Sequence, residues 1–260
     1  MLQILSPDWP AAPWVRALVT TRGGGVSAAP YASLNLGSHC GDAPQAVAEN
    51  RIRLAALLPG EPLWMNQVHG TTILDADRWV APAAAVKRAG RADLEPQADA
   101  VLATRPGVVC AVLAADCLPI LVVSESRGAV AAIHAGWRGL AAGVIEKSMR
   151  RLGGSESALV FLGPAIGPLA YEVGGEVRAA FMRRAPDLDQ AFAPGRPGRW
   201  LLDLYAAARL RLRACGVPAA RIYGGNFCTH TDRERFFSYR RDGATGRIAS
   251  LIWIEDRAAS

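Results

Sequence analysis

A chain of 260 residues, 51% hydrophobic and 20% charged, can bury about 70–75% of its unfolded surface without disulfides, and this composition excludes a disordered or collagen-like chain. Its 26 glycines and 17 prolines point to many short elements and turns rather than a coiled coil or helical bundle. The formal charge of +6 rests on 29 basic residues, of which only Lys87 and Lys147 are lysine; the charge is scattered, without the stripe that a nucleic-acid surface needs.

The first residues lack the charged and apolar regions of a signal peptide. The most apolar stretch, residues 107–123, is interrupted by Asp116 and Pro119, which argues against a membrane span. Five cysteines at irregular spacing, without a signal peptide, predict reduced thiols in the cytoplasm.

Residues 14–20 read as a strand opening into the glycine-rich Thr21-Arg22-Gly23-Gly24-Gly25. Asp42 is placed to cap a helix with Pro44 in its first turn, running to about residue 58, where Pro59-Gly60 stops it. Residues 63–68 read as strand-like, and 81–98 as a long surface loop. The continuous apolar runs at 108–114, 120–123 and 129–134 predict buried strands. The first two are separated by Asp116-Cys117-Leu118-Pro119, and the last two by a turn at 124–128. Gly136-Trp137-Arg138-Gly139 then leads into one helix carrying Leu140, Val144, Ile145, Met149 and Leu152 at helical spacing, closed by Gly153. Further on come a strand at 159–162, a helix over 175–184, a helix from Asp203 to Cys215-Gly216 and a strand at 221–223. Residues 236–254 read as a hairpin. No repeat or linker divides the chain, so the expectation is one α/β domain of mixed type over residues 1–260.

His69, Cys117 and His134 each sit just past a predicted strand end, where ligands bind in α/β folds. Two histidines and a cysteine with an open fourth position suit catalytic zinc. Their separations suit ligands gathered by a fold, not a zinc knuckle. The same three residues also fit a buried cysteine and two satisfied core histidines.

The strings NQVHG (66–70), ADCLPI (115–120) and HAGWRG (134–139) resemble the YfiH-like family. So do TTRGGGVS (20–27), PYASLNLGSHCGD (30–42), GPAIGP (163–168), YEVGGEV (171–177) and FFSYRRDGATGR (236–247). The resemblance spans residues 14–253. The family carries a multicopper polyphenol oxidoreductase, or laccase-domain, label, and it includes bacterial peptidoglycan editing factors and a mammalian purine enzyme. The resemblance implies a layered α/β sandwich with two mixed β-sheets between helices. It implies a zinc site on His69, Cys117 and His134. It implies phosphorolysis of adenosine, inosine and methylthioadenosine, with deamination of adenosine, so that purine nucleosides and phosphate are the partners. The laccase label itself fails on counting: a mononuclear and a trinuclear copper centre need more imidazoles than the four histidines present. One Cu2+ can still occupy the His2Cys set in place of Zn2+.

For such chemistry Asp116 is either a proton shuttle beside the cysteine or a turn residue. Arg22, beside three glycines, is a candidate phosphate cradle, with Arg51 and Arg138 as alternates. Asn35 and Gln67 are candidates for reading a ribose hydroxyl or purine edge. His230 is a candidate rim contact. Cys110 and Cys215 read as core. Two other functions compete. One is a Cys/His hydrolase acting on peptidoglycan precursors, with Cys117 as nucleophile and His134 as base. The other is a non-catalytic zinc-binding protein.

Overall fold

The computed structural model describes residues 2–79 and 95–255. In chain order the elements are β1 (Ile4–Leu5), β2 (Val15–Thr20), α1 (Pro44–Ala55), β3 (Ile73–Asp75), β4 (Ala100–Ala103), β5 (Cys110–Ala114), β6 (Leu118–Ser124), β7 (Ala129–Ala135), α2 (Trp137–Ala142), α3 (Val144–Leu152), β8 (Ala158–Leu162), β9 (Glu172–Gly174), α4 (Gly175–Met182), β10 (Phe192–Pro194), β11 (Arg199–Leu202), α5 (Leu204–Ala214), β12 (Ile222–Gly224), α6 (Tyr239–Asp242) and β13 (Ile248–Ile254).

The central strands read as unbroken apolar runs because both of their faces are buried. Ile248, Ile252 and Ile254 of β13 face one core, while Ala249, Leu251 and Trp253 face another. This follows from the two-residue period of a strand. β13 lies in a four-stranded antiparallel sheet ordered β1-β2-β13-β5. A six-stranded mixed sheet, β12-β8-β6-β7-β4-β3, stacks on it. Leu121, Val123, Val130 and Phe161 of the larger sheet meet Val19, Val112 and Ile252 of the smaller one in the inter-sheet core. Helices cover both outer faces. Leu54 of α1 packs with Leu34, Leu36 and Leu113 on one side. Leu140, Ile145, Phe181 and Leu212 from α2, α3, α4 and α5 pack on Ile120, Val122 and Ile133 on the other. The chain is thus a layered α/β fold with two principal sheets between helices. A small antiparallel sheet, β10-β11-β9, is added to them, and only the six-stranded sheet mixes parallel and antiparallel pairs.

Several local expectations are corrected. Ala43, not Asp42, occupies the cap of α1. Asp42 instead accepts from Ser27 Oγ at 2.6 Å and Asn35 Nδ2 at 2.9 Å, a tertiary use that local pattern does not show. α1 ends at Ala55 rather than near residue 58. Residues 63–68 are extended but form only isolated bridges, Leu63 to Cys110 and Asn66 to Gln97. The helix expected after Gly139 is broken at Gly143, whose φ of +90° ends α2 and starts α3. A side chain at Gly143 would also strike the Arg184 guanidinium, 2.3 Å from an added Cβ. The tail is not a hairpin. Phe236 and Phe237 are fully buried in the inter-sheet core, and β13 pairs with β2 and β5 rather than with the segment before it. Ser238 caps the short α6 by accepting from Arg241 N. Most of the loop expected at 81–98 lies outside the described residues. No helix among the described residues is long and apolar enough to cross a membrane.

Candidate metal centre

Three separate chain segments bring His69, Cys117 and His134 together. Their ligand atoms all lie within 4.8 Å of one another. Cys117 immediately precedes β6. His134 lies on β7, opposite Pro119 of β6 in the ladder. The β6–β7 pairing therefore places the cysteine and this histidine side by side. His69 comes from the loop before β3. It adopts φ +59°, a left-handed conformation that costs a non-glycine residue energy and is common where a site needs it.

Asp99 holds that loop in place. Its carboxylate accepts from His69 N at 2.8 Å and from Gly70 N at 2.6 Å. The same carboxylate lies 2.9 Å from His134 Nδ1, and His134 N donates to the Asp99 carbonyl at 2.7 Å. A carboxylate only accepts, so Nδ1 carries the hydrogen and Nε2 keeps its lone pair for a metal. One buried residue thus fixes both histidines. Nothing local in the sequence marks Asp99: it reads as a polar residue before an apolar run.

A tetrahedral ion with a metal–sulfur bond of about 2.3 Å and a metal–nitrogen bond of about 2.0 Å separates the two donors by about 3.5 Å. Cys117 Sγ and His69 Nε2 are 3.7 Å apart. The two imidazoles meet edge-on, with centroids 4.9 Å apart. Gly136 keeps this space open: an added Cβ would lie 2.8 Å from His69 Cδ2 and 2.9 Å from Cys117 Sγ. The donor set, its spacing and the tautomer lock fit a zinc ion held by three protein ligands, with the fourth position free.

Electrostatics prepare the donors. Burial pushes the Cys117 thiol up, but the His134 imidazolium and hydrogen bonds from His134 and His69 outweigh it and bring the thiol down to about 6. Burial pushes His134 down, yet the Cys117 thiolate and the Asp99 carboxylate lift it to about 9. Burial raises Asp99, but its bond to His134, that ring's charge and the two amides hold it below the usual carboxylate range. Metal-stripped protein therefore carries a thiolate–imidazolium pair between these two values. The cysteine's share of stability is lost as pH falls through about 6, and the histidine's as pH rises through about 9. Alkylation of Cys117 by iodoacetamide, followed by mass spectrometry, is expected to show a midpoint near pH 6. His134→Gln removes the cation and should move that midpoint upward; an unchanged midpoint would show that His134 does not set it.

The metal donors open into a cavity of about 470 Å³, a size suited to a small organic ligand. Its walls include His39, Trp137, Arg138, Tyr171, Arg240 and Arg247.

Residues 16–255 match the sequence model of the family described as multi-copper polyphenol oxidoreductase laccase. The chain belongs to this YfiH-like family. A Pseudomonas aeruginosa protein named purine nucleoside phosphorylase is 52% identical over 254 residues, covering 97% of this chain and 98% of that protein. The purine nucleoside phosphorylase YfiH of Escherichia coli is 48% identical, covering 98% of this chain and all of its own. Among solved structures, a Neisseria meningitidis protein superposes with a TM-score of 0.86 at 44% identity, covering 97% of this chain and 99% of its own. YlmD from Geobacillus stearothermophilus gives 0.85 at 34% identity, with 97% of each chain covered.

In this YfiH-like chain the remaining candidates divide sharply. Arg138 lines the metal cavity and stacks on Trp137, 4.5 Å from its ring centroid. Gln67 also lines it, but its amide is paired in both directions with the Leu113 main chain, at 2.8 and 2.7 Å. Asp116 borders the cavity with φ +94°. Its two oxygens accept from Thr229 Oγ1 and Arg240 N, both at 2.6 Å, so the geometry favours turn-building over proton shuttling. His230 lines a neighbouring cleft instead.

The other three lie elsewhere. The Arg22 guanidinium donates to the carbonyls of Ala32 and Arg233 and lies over Phe237; it ties loops together and does not border the metal cavity. Arg51 is buried, pairing with Glu95 at 2.8 Å, donating to Leu36 O and stacking on Trp64. Asn35 is buried, with both ends of its amide engaged by Gly37, Asp42 and Arg247. Carbonyls, main-chain amides and the Glu95 and Asp42 carboxylates take up the hydrogen bonds of these three residues. Polar residues that border the cavity unannounced include His39, Tyr171, Tyr239, Arg240 and Arg247.

Proposed function

We propose that this chain is a zinc-dependent purine nucleoside phosphorylase acting on adenosine, inosine and methylthioadenosine, with adenosine deaminase activity at the same site. The observation that carries this reading is the convergence of His69, Cys117 and His134 on one point that faces a nucleoside-sized cavity. The names and coverage of the relatives support it.

A zinc ion held by His69, Cys117 and His134 supplies a Lewis acid at the cavity floor. The chain's own residues do the rest. Asp99 keeps the His134 ring and the His69 loop in position, so the donors need no rearrangement during turnover. Trp137 and Tyr171 offer apolar walls for the nucleoside. Arg138 and Arg240 place positive charge on the same wall, complementary to the anionic phosphate that attacks the sugar carbon. The half-enclosed cavity limits access of water, which would otherwise compete with phosphate for the sugar carbon.

Purified, metal-quantified protein is expected to hold about one zinc and to release hypoxanthine from inosine only when phosphate is present. Adenosine should release ammonia without phosphate. Chelation should abolish both activities, and zinc should restore them. Hypoxanthine release that ignores both phosphate and chelator would overturn the reading.

A second reading has one specific observation behind it. Cys117, His134 and Asp99 are also arranged as nucleophile, base and orienting acid, the constellation of a Cys/His hydrolase for peptidoglycan precursors. It assigns no role to His69, although that imidazole completes the donor set. Activity that persists without metal and disappears on alkylation of Cys117 would select it.

A further inference from the structure

A second cleft of about 590 Å³ adjoins the metal cavity. The two share one wall, made of Trp137, Arg138, Tyr171 and Arg240. The charged groups facing this second cleft are Arg138, Arg196, Arg199, Arg240, Glu172 and Glu176, joined by the titratable His230 and Tyr171. Arg196 is spent: its main-chain N and Nε donate to Glu172 at 3.0 and 2.7 Å, and Nη2 closes a third contact. Glu176 folds back over the start of α4, where a Cβ on Gly174 would strike its carboxylate, and the amide end of that helix offsets part of its charge. Arg138 and Arg240 form no ion pair with a carboxylate among the described residues, while Arg199 acts on the Glu172 carboxylate, which Arg196 already holds.

The two arginines of the shared wall lie over the rings of their aromatic neighbours. Arg138 stacks on Trp137 at 4.5 Å, and Arg240 lies over Tyr171 at 5.0 Å while Nη1 donates to Glu172 O at 2.6 Å. Stacking orients a guanidinium while leaving edge N–H donors free, the arrangement that suits two-point recognition of phosphate.

We infer that the wall between the two cavities is a binding site for a phosphate dianion, with Arg138 and Arg240 as its cationic contacts and Arg199 at the outer rim. The inference rests on the phosphorylase reading for the identity of the neighbouring ligand. The dianion has two sources, free phosphate as the co-substrate or the phosphate monoester of a nucleotide.

Arg138→Met and Arg240→Met test the site and its source. In phosphorolysis of inosine, each variant should raise the KM for phosphate by about ten- to a hundredfold, the loss of a charge-assisted contact. The KM for inosine and the zinc content should stay within about twofold of the parent. Calorimetric titration of the zinc-loaded proteins with inorganic phosphate, inosine and inosine 5′-monophosphate supplies a second readout, independent of turnover. Loss of inorganic phosphate binding in the variants identifies the co-substrate. Loss only of the extra affinity of the monophosphate over inosine identifies a nucleotide. Variants that keep the parent's phosphate KM and also bind both inorganic phosphate and inosine 5′-monophosphate as the parent does overturn the site. A parent that does not phosphorolyse inosine overturns the phosphorylase reading instead, and the titrations then decide the site alone.

Discussion

Replacing Cys117 by alanine is expected to remove metal and activity together. Cys117 supplies the one thiolate in a three-residue donor set, and two imidazoles alone hold zinc much less tightly. Losing several kcal/mol of Lewis-acid stabilisation corresponds to a fall in kcat of about a thousandfold or more. The fold should survive, because Cys117 is partly exposed at the start of β6 and its side chain anchors no core. Metal analysis, phosphate-dependent hypoxanthine release and a thermal melt check the three statements. A Cys117→Ala protein that retains zinc and full activity would sink the proposed site. Cys117→Ser adds a discriminating case. A hydroxyl in place of the thiolate weakens zinc binding, so activity lost through the metal should return in part when zinc is supplied in excess. Activity lost with a cysteine nucleophile should not.

Asp99→Asn carries the next largest effect, although the substitution touches no substrate. The carboxylate accepts from two loop amides and from the His134 ring. A carboxamide of the same shape has only one accepting oxygen. In the parent, Oδ1 serves His69 N and His134 Nδ1, and Oδ2 serves Gly70 N. An amide oxygen in the Oδ1 place sets the NH2 group against Gly70 N and loosens the His69 loop. In the Oδ2 place it turns the NH2 group to His69 N and His134 Nδ1, and the ring must move its hydrogen to Nε2. The lone pair then points away from the metal. Affinity for zinc should fall by about ten- to a hundredfold in chelator competition. At subsaturating zinc, phosphorolysis should fall in parallel, and excess zinc should recover a large part of it. Zinc affinity equal to that of the parent would show that Asp99 does not act through the tautomer.

Much of the fold is written in local pattern. The runs that became β5, β6, β7 and β13 are apolar at all but a few positions, Ser124, His134 and Ser250 among them, because helices or a second sheet cover both of their faces. Asp203 was legible as the start of α5, and its side chain does accept from Ala206 N. Where the reading went astray, a partner distant in the chain had taken over. Phe236 and Phe237 look like one arm of a hairpin, but they fill the inter-sheet core while β13 pairs with strands far away in sequence. The helical spacing after Gly139 runs straight through Gly143, where a left-handed residue packed against Arg184 breaks the helix.

The candidate site divides the same way. His69, Cys117 and His134 could be singled out by residue type and by position at strand ends. That they meet around one point depends on the β6–β7 ladder and on a left-handed turn at His69. The arginines show the converse. Arg22, Arg51 and Arg138 look alike in sequence, yet carbonyls and Glu95 absorb the first two and only Arg138 reaches the cavity.

The sequence alone settles residue chemistry: an α/β chain of mixed type, two imidazoles and a thiol of the kinds that hold zinc, and too few histidines for a multicopper cluster. Tertiary structure decides which polar groups are left over after folding. Asp99 stands against both histidines, while Arg22, Asn35 and Arg51 are bonded away from the metal cavity, because hydrogen-bond partners are assigned by distance in space, and a buried donor takes whichever acceptor the packed chain brings to it.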